Sequence, residues 1–125
     1  MLARLLWIAL GGALGTLARY GMTVALKPWS ASFPYGTLAV NLLGCLLIGV
    51  LHGVFADRWV AREEIRLALL VGFLGGFTTF STFALDNALF FDRGSLMRAA
   101  LNILVSNTLG VALVFAGFYL SRIRQ

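Results

Sequence analysis

The sequence predicts an all-α membrane protein of one domain, in which four transmembrane helices cross the bilayer and the third is broken at mid-membrane. Composition is the first observation: of 125 residues, 60% are hydrophobic and 12% charged, whereas a soluble domain averages about 25% charged residues. The second is that four apolar runs cover most of the domain 1–125, each long enough for a bilayer. The runs are residues 4–26, 35–56, 65–91 and 96–121.

The third apolar run has a centre that is unsuited to a continuous helix. Between residues 72 and 83 it holds three glycines and four hydroxyl residues. Glycine is a poor helix former, and Thr and Ser side chains compete for backbone hydrogen bonds. A break at mid-membrane frees backbone groups, which must then be buried in protein, line a wet path or bind an ion. We therefore expect the break to be the functional centre.

The first run carries a small-residue face and an unusual cation. Gly11 and Gly15 are spaced for close contact with another helix. Arg19 lies inside the apolar run, next to Tyr20. Two interpretations of Arg19 have equal weight: a side chain that extends to the lipid headgroups, or a cation at a pore mouth that attracts anions.

The second run follows a short loop and a proline that suits the first helical turn. Thr37 and Asn41 are one turn apart and share a helix face. An asparagine in the bilayer is costly unless it is hydrogen-bonded. Asn41 is therefore expected either to fix helix packing or to offer its amide to a permeating species. His52, near the end of the run, is expected to be an interfacial histidine.

The remaining polar residues of the spans lie past the break and on the fourth run. Asp86 is expected near the exit of the third span. We expect its side chain to be solvated or to extend to the headgroups, rather than to carry protons. The turn at residues 92–95 leads to the fourth run. There Asn102 and Ser106 are one turn apart and share a face.

Four spans place both termini on one side of the membrane. The basic residues are then divided between the two sides, with Arg4, Arg58, Arg62, Arg66, Arg122 and Arg124 beside the termini and Lys27, Arg93, Arg98 and, on one interpretation, Arg19 on the other. This bias favours cytoplasmic termini. The bias is shallow, so it is compatible with insertion in both orientations.

Several classes of function are disfavoured. The sequence has no Walker loop, no HExxH, no GxSxG and no paired Cys/His ligand set, so we do not predict an enzyme. The net charge of +5 is scattered at the ends of apolar runs, the pattern of loops at lipid headgroups rather than of a nucleic-acid-binding patch. What remains is a set of neutral donors beside aromatic rings, which suits an anion because amides and hydroxyls donate and ring edges are positive.

Two functions from other classes are kept as alternatives. One is a small four-helix cation or drug antiporter, although the first span lacks the embedded carboxylate that such a carrier needs. The other is an accessory membrane subunit of a larger complex, although a polar broken helix would then be hard to explain. Liposome flux separates both from an anion channel.

The sequence strongly resembles a known family, the small bacterial fluoride channels of the CrcB/Fluc type. The resemblance covers almost the whole chain, and the motif of the third span is its most specific part. The matching segments are Gly11-Gly12-Ala13-Leu14-Gly15 with Arg19-Tyr20, Pro34-Tyr35-Gly36-Thr37-Leu38 with Val40-Asn41 and Gly44, and Gly72-Phe73, Gly75-Gly76 and Thr78-Thr79-Phe80-Ser81-Thr82-Phe83.

The resemblance implies a fluoride-selective passive channel that exports fluoride across the bacterial inner membrane, as an antiparallel, dual-topology homodimer with two fluoride paths. It implies that Phe80 and Phe83 line each path with their ring edges and that Asn41 donates to fluoride. A central structural Na⁺ would be held by the backbone carbonyls of Gly75 and Thr78. The pore residues expected beside these are Thr37, Ser81, Thr82, Asn102 and Ser106, with Arg19 at the pore vestibule and lipids around the dimer.

Overall fold

The computed structural model describes residues 1–57 and 62–123, and all regular structure in these two ranges is helical. In chain order the elements are α1 (Leu2–Leu26), a 3₁₀ turn (Lys27–Trp29), α2 (Tyr35–Asp57), α3 (Glu63–Leu67), a π-helical stretch (Ala68–Phe73), α4 (Leu74–Phe77), α5 (Phe80–Asp92) and α6 (Leu96–Arg122). Two arginines that the sequence assigns to the side of the termini, Arg58 and Arg124, lie outside the described residues.

Within residues 1–57 and 62–123, four helical segments are long and apolar enough to cross a membrane. They are Leu2–Trp29, Tyr35–Ala56, Glu63–Asp92 and Leu96–Arg122. The prediction of an all-α chain with four such helices is confirmed. The third segment is composite, because it contains α3, the π-helical stretch, α4 and α5.

The helices pack as two close pairs. Helix α1 lies against the π-helical stretch and α4, and α2 lies along α6, which also contacts α5. Glycine permits the short distance in both pairs. A Cβ atom added at Gly11 or Gly15 would overlap the backbone carbonyl of Ala68 or Phe73, and one added at Gly49 would overlap that of Val114. The small-residue face predicted on α1 is therefore a helix contact.

The core of a single chain is small. Val40 and Ala99 have no exposed surface and Leu74 has 3%, whereas large apolar side chains such as Leu14 and Leu104 are more than half exposed. A soluble domain does not leave such side chains in water over most of its surface. The distribution fits a chain that is surrounded by hydrocarbon or by another protein.

A tight turn joins α5 to α6. Gly94 has a φ of 68°, a left-handed conformation that glycine adopts without the steric cost of a side chain. The N–H of Ser95 donates to the carbonyl of Phe90 at 2.8 Å, which closes the end of α5. The turn brings the polar residues of α5 next to those of α6.

Candidate functional site

Two extended residues separate α4 from α5. Thr78 has φ −84° and ψ 157°, and Thr79 has φ −149° and ψ 113°. Thr79 is also the N-cap of α5, since its side-chain oxygen accepts a hydrogen bond from the N–H of Thr82 at 3.2 Å. Threonine is a favoured N-cap residue. The hydroxyl residues that disfavour a continuous helix thus also start the next one.

Asn41 of α2 pairs with both backbone groups of Thr79. Its Nδ2 donates to the carbonyl of Thr79 at 3.0 Å, and the N–H of Thr79 donates to Asn41 Oδ1 at 2.8 Å. In a continuous helix that N–H would bond the carbonyl of Gly75. The asparagine therefore replaces a helical partner, and the Gly75 carbonyl loses its usual donor.

Arg19 reaches the same segment from α1. Its Nη1 donates to the carbonyl of Thr78 at 3.3 Å, and the hydroxyl of Thr78 donates to the carbonyl of Leu74 at 2.9 Å. Arg19 as a whole is half-buried. This placement favours the interpretation of Arg19 as a cation at a polar site over that of a side chain extended to the headgroups.

A first cavity of about 420 Å³ lies on one side of the interruption and is called cavity 1. It brings together six residues of the predicted site, namely Asn41, Gly75, Thr78, Phe80, Phe83 and Ser106. Its other walls are mainly apolar and include Ile48 and Leu70. The rings of Phe80 and Phe83 have centroids 5.7 Å apart and are tilted by 44°. Phe80 is 80% exposed, so its ring stands free at the mouth.

A second cavity of about 630 Å³ is lined mainly by residues of α1, α2 and α5 and is called cavity 2. Its polar lining includes the predicted site residues Arg19, Thr37, Ser81 and Thr82, together with Lys27 and Asp86. The hydroxyl of Thr79 donates to that of Thr82 at 3.0 Å and lies 3.4 Å from that of Ser81. Thr79 lines both cavities. Thr79 of the extended segment is therefore shared by the two cavities, of which cavity 2 has the more polar lining.

Asp86 is a half-buried carboxyl group at the edge of cavity 2. Its Oδ2 atom is buried and has no hydrogen-bond partner among the described residues. The sequence placed Asp86 near the exit of the span, and the structure places it deeper in the protein than a solvated end residue. His52 is exposed and makes an edge-to-face contact with Phe118 at a centroid distance of 5.3 Å; its place at the membrane interface stays a prediction.

Asn102 is the one predicted pore residue that lines neither cavity 1 nor cavity 2. It is 1% exposed and donates to Oδ1 of Asn87 at 3.1 Å. Sequence reasoning did not single out Asn87, which is 6% exposed on α5. A signal was present, because an asparagine inside an apolar run must find a partner.

The profile of the family described as "CrcB-like protein, Camphor Resistance (CrcB)" matches residues 6–118. The chain belongs to the CrcB family. This confirms the resemblance on which the expectations above depend. The match includes the interruption, Asn41 and the residues of both cavities.

Individual relatives extend the comparison along nearly the whole chain. A protein of Nitrosococcus oceani is 44% identical over 98% of this chain and 99% of its own length, and one of Desulforapulum autotrophicum is 41% identical over 96% and 97%. One from Methylococcus capsulatus is 47% identical over 92% of this chain, which spans about half of that relative's length (51%). All three are named "Fluoride-specific ion channel FluC". The name denotes a channel, in agreement with the expectation that the chain is not an enzyme.

Proposed function

We propose that this protein is a passive, fluoride-selective channel that exports fluoride across the bacterial inner membrane. The observation that carries the proposal is cavity 1, where Asn41, Phe80, Phe83 and Ser106 meet beside the interrupted backbone. Full-length relatives of the chain carry the name of a fluoride channel. Fluoride is small and tightly hydrated, so a path for it needs donors that replace its water without trapping it.

We propose that the interruption at Thr78 and Thr79 lies at mid-membrane. Backbone groups there need partners within the protein. Asn41 and Arg19 supply such partners from α2 and α1. The partners support a break that is held open rather than a helix that frays. A held break keeps its donors in one place, which a selective path requires.

The fluoride path is proposed to run through both cavities. In cavity 2 the cation of Arg19 and the hydroxyls of Thr37, Ser81 and Thr82 attract and solvate the anion. In cavity 1 the second N–H of the Asn41 amide is free to donate, because one N–H is enough for the Thr79 carbonyl. The edges of Phe80 and Phe83 then face the ion with the positive end of the ring quadrupole.

An antiparallel, dual-topology homodimer with two such paths is proposed as the working assembly. A two-fold axis in the membrane plane would place the interruptions of two chains face to face. Cavity 1 is open on its outer side, where Phe80 and Gly75 are exposed. A second copy of this chain, related by the two-fold axis, would cover this open side with the same face of its own surface.

A structural Na⁺ is proposed between the two copies. Na⁺ is a hard cation that prefers oxygen ligands. The donor set of one chain fits this chemistry in part, because Gly75 has lost its helical donor to Asn41 and the Thr78 carbonyl is freed by its extended backbone. Two carbonyls from each chain would give four ligands. Among the described residues no group of three His, Cys, Asp or Glu side chains offers another metal site.

Fluoride flux from liposomes tests the function and the role of the rings. Wild-type protein is expected to pass fluoride electrogenically and to reject chloride. Phe80→Ile and Phe83→Ile keep apolar bulk but remove the positive ring edge, so each is expected to slow fluoride flux by about tenfold with the dimer intact. The matched control is Phe91→Ile, an exposed phenylalanine of α5 that lines neither cavity 1 nor cavity 2.

The other outcomes of this assay identify the alternatives. Proton-coupled drug uptake without fluoride flux would show an antiporter and overturn the proposal. No flux of any kind from correctly folded protein would favour an accessory subunit. Full flux in both phenylalanine variants would leave the channel standing and exclude the ring-edge role.

A further inference from the structure

Four polar groups form a hydrogen-bonded chain behind the wall of cavity 1. The hydroxyl of Ser106 donates to Oδ1 of Asn102 at 3.4 Å, and Asn102 Nδ2 donates to Oδ1 of Asn87 at 3.1 Å. Asn87 Nδ2 then donates to the backbone carbonyl of Phe83 at 2.8 Å. The two ends of this chain, Ser106 and Phe83, both line cavity 1, whereas its two middle members do not.

The direction of every bond in this chain is fixed from one end. A backbone carbonyl only accepts, so the Asn87 group at Phe83 must be the amide nitrogen. The oxygen of Asn87 then faces Asn102, which must present its own nitrogen. The remaining oxygen of Asn102 faces Ser106, which must donate. No amide can be flipped alone without setting two acceptors or two donors against each other.

Burial makes this arrangement costly to disturb. Asn102 is 1% exposed and Asn87 is 6% exposed, at the contact between α5 and α6. A buried amide that loses its partner pays its full desolvation cost. The two asparagines therefore hold α5, which carries the Phe83 ring, at a set position against α6, which carries the Ser106 hydroxyl.

The same chain decides how Ser106 meets an ion. Its single proton is directed at Asn102 over a long bond of 3.4 Å, which is weaker than a bond of ordinary length. An anion in cavity 1 would be a stronger acceptor, so the Ser106 hydroxyl would keep its proton but donate its hydrogen bond to the ion instead when the ion arrives. Until then the proton stays paired within the protein, close to where the ion will pass.

We propose that Asn87 and Asn102 are positioning residues that set the separation of Phe83 and Ser106 across cavity 1, and with it the preference for fluoride over larger anions. The inference rests on the proposed function. It assigns Asn102 a role behind the path rather than in it, and it adds Asn87 to the machinery. A cavity whose walls are loosely held admits chloride, because discrimination between halides by size needs a fixed width.

A double-mutant experiment separates positioning from folding. Asn87→Leu and Asn102→Leu each leave a buried amide unpaired, so each is expected to lower the melting temperature. The double variant replaces both polar groups by apolar ones, which is close to neutral for stability, so its melting temperature is expected to recover. Its ratio of chloride to fluoride flux in liposomes is nonetheless expected to rise by about tenfold.

Two further variants complete the design. Asn87→Ser retains a donor and an acceptor on a shorter side chain, is expected to fold, and should raise the flux ratio by a smaller factor. The control is Thr108→Val on α6, since in the described part of the chain the exposed Thr108 hydroxyl bonds no group but the carbonyl of Leu104 on its own helix. Stability and flux ratio should both stay at the wild-type level.

Each result has one meaning. A double variant that regains stability and keeps the wild-type flux ratio would overturn the positioning role, as would an unchanged ratio in Asn87→Ser. Wild-type protein that passes no fluoride would instead overturn the proposed function, together with the inference that rests on it.

Discussion

Single residues hold the interrupted backbone in place. Asn41 donates to and accepts from Thr79, so one side chain satisfies two groups that a helix would otherwise pair. The sequence left two roles open for Asn41, helix packing or donation to a permeating species. The hydrogen bonds to Thr79 directly support the packing role. They use one N–H of the Asn41 amide and leave its other N–H for a permeating species. The two roles are not exclusive, because an amide nitrogen has two protons.

Replacing Asn41 by leucine should destabilise the protein strongly. The N–H and the carbonyl of Thr79 would both lose their hydrogen-bond partner, and water could not replace it easily because Thr79 is only 8% exposed. Two unpaired buried groups cost about 2 to 4 kcal/mol. Thermal unfolding of the purified protein measures the loss.

The matched control is Asn107→Leu. Asn107 is exposed on α6, and among the described residues its amide donates to the carbonyl of Ile103 on the same helix and to no other group. Its substitution should change stability by no more than about 0.5 kcal/mol. Equal melting temperatures for the two leucine variants would show that Asn41 does not carry the interruption.

Helices and their pairings were predictable from the sequence to different degrees. The four apolar runs gave helix ends that differ by at most two residues from those of α1, α2, α6 and the composite third span. Length and apolarity set these limits, and both are local properties. The partner of the interruption was not predictable, because Asn41 is 38 positions away from Thr79 along the chain. Only the packing of α2 beside α4 and α5 brings them together.

The π-helical stretch and the place of Asn102 were missed for related reasons. Residues Ala68–Phe73 are π-helical and lie against α1, a contact between distant parts of the chain that local propensity does not describe. The shared face of Asn102 and Ser106 was a correct observation of helix geometry. It does not say which of two neighbouring polar residues faces a cavity, and the bond to Asn87 on α5 turns Asn102 inward.

Two glycines of α1 provide a test of the contact between this helix and the third span. A methyl group on Gly15 would overlap the carbonyl of Phe73, whereas one on Gly21 would have nothing within 4 Å. Gly15→Ala must push two helices apart, so we expect a loss of about 1 to 3 kcal/mol or more, up to failure to fold. Gly21→Ala should stabilise the protein by about 0.5 to 1 kcal/mol, because alanine favours a helix.

Thermal melts and the yield of folded protein read out both substitutions. Since the two variants make the same chemical change on one helix, their difference isolates the packing. If Gly15→Ala melted at or above the wild-type temperature, the close contact between α1 and the third span would be absent in the membrane.

At the scale of the whole molecule, the candidate site of a single chain is open on one side. Gly75 is exposed and nothing lies within 4 Å of a side chain built there, although its carbonyl has lost its helical donor. An exposed backbone carbonyl has no partner in hydrocarbon. A second copy with a shared cation would satisfy this group in both chains at once.

The charge near this group bears on the cation. Arg19 already donates to the Thr78 carbonyl at 3.3 Å. A carbonyl oxygen has two lone pairs, so the guanidinium and a Na⁺ can bind the same oxygen. Two positive charges close together are tolerated where carbonyl dipoles and a passing anion offset them. The guanidinium would therefore orient the ligand carbonyl rather than replace the ion.

Na⁺ should stabilise the protein by an amount that rises with the logarithm of its concentration above the dissociation constant. Protein prepared without Na⁺ is expected to melt at a lower temperature in N-methylglucamine chloride than in NaCl of equal concentration. The corresponding gain in the free energy of unfolding is expected to reach about 2.7 kcal/mol when Na⁺ is at a hundred times its dissociation constant. Because two chains would supply the ligands, the Na⁺ effect should disappear under conditions in which crosslinking finds only monomers. A melting temperature that is the same with either cation in the dimer would exclude the site, while a Na⁺ effect that persists in the monomer would move the site away from the two-fold axis.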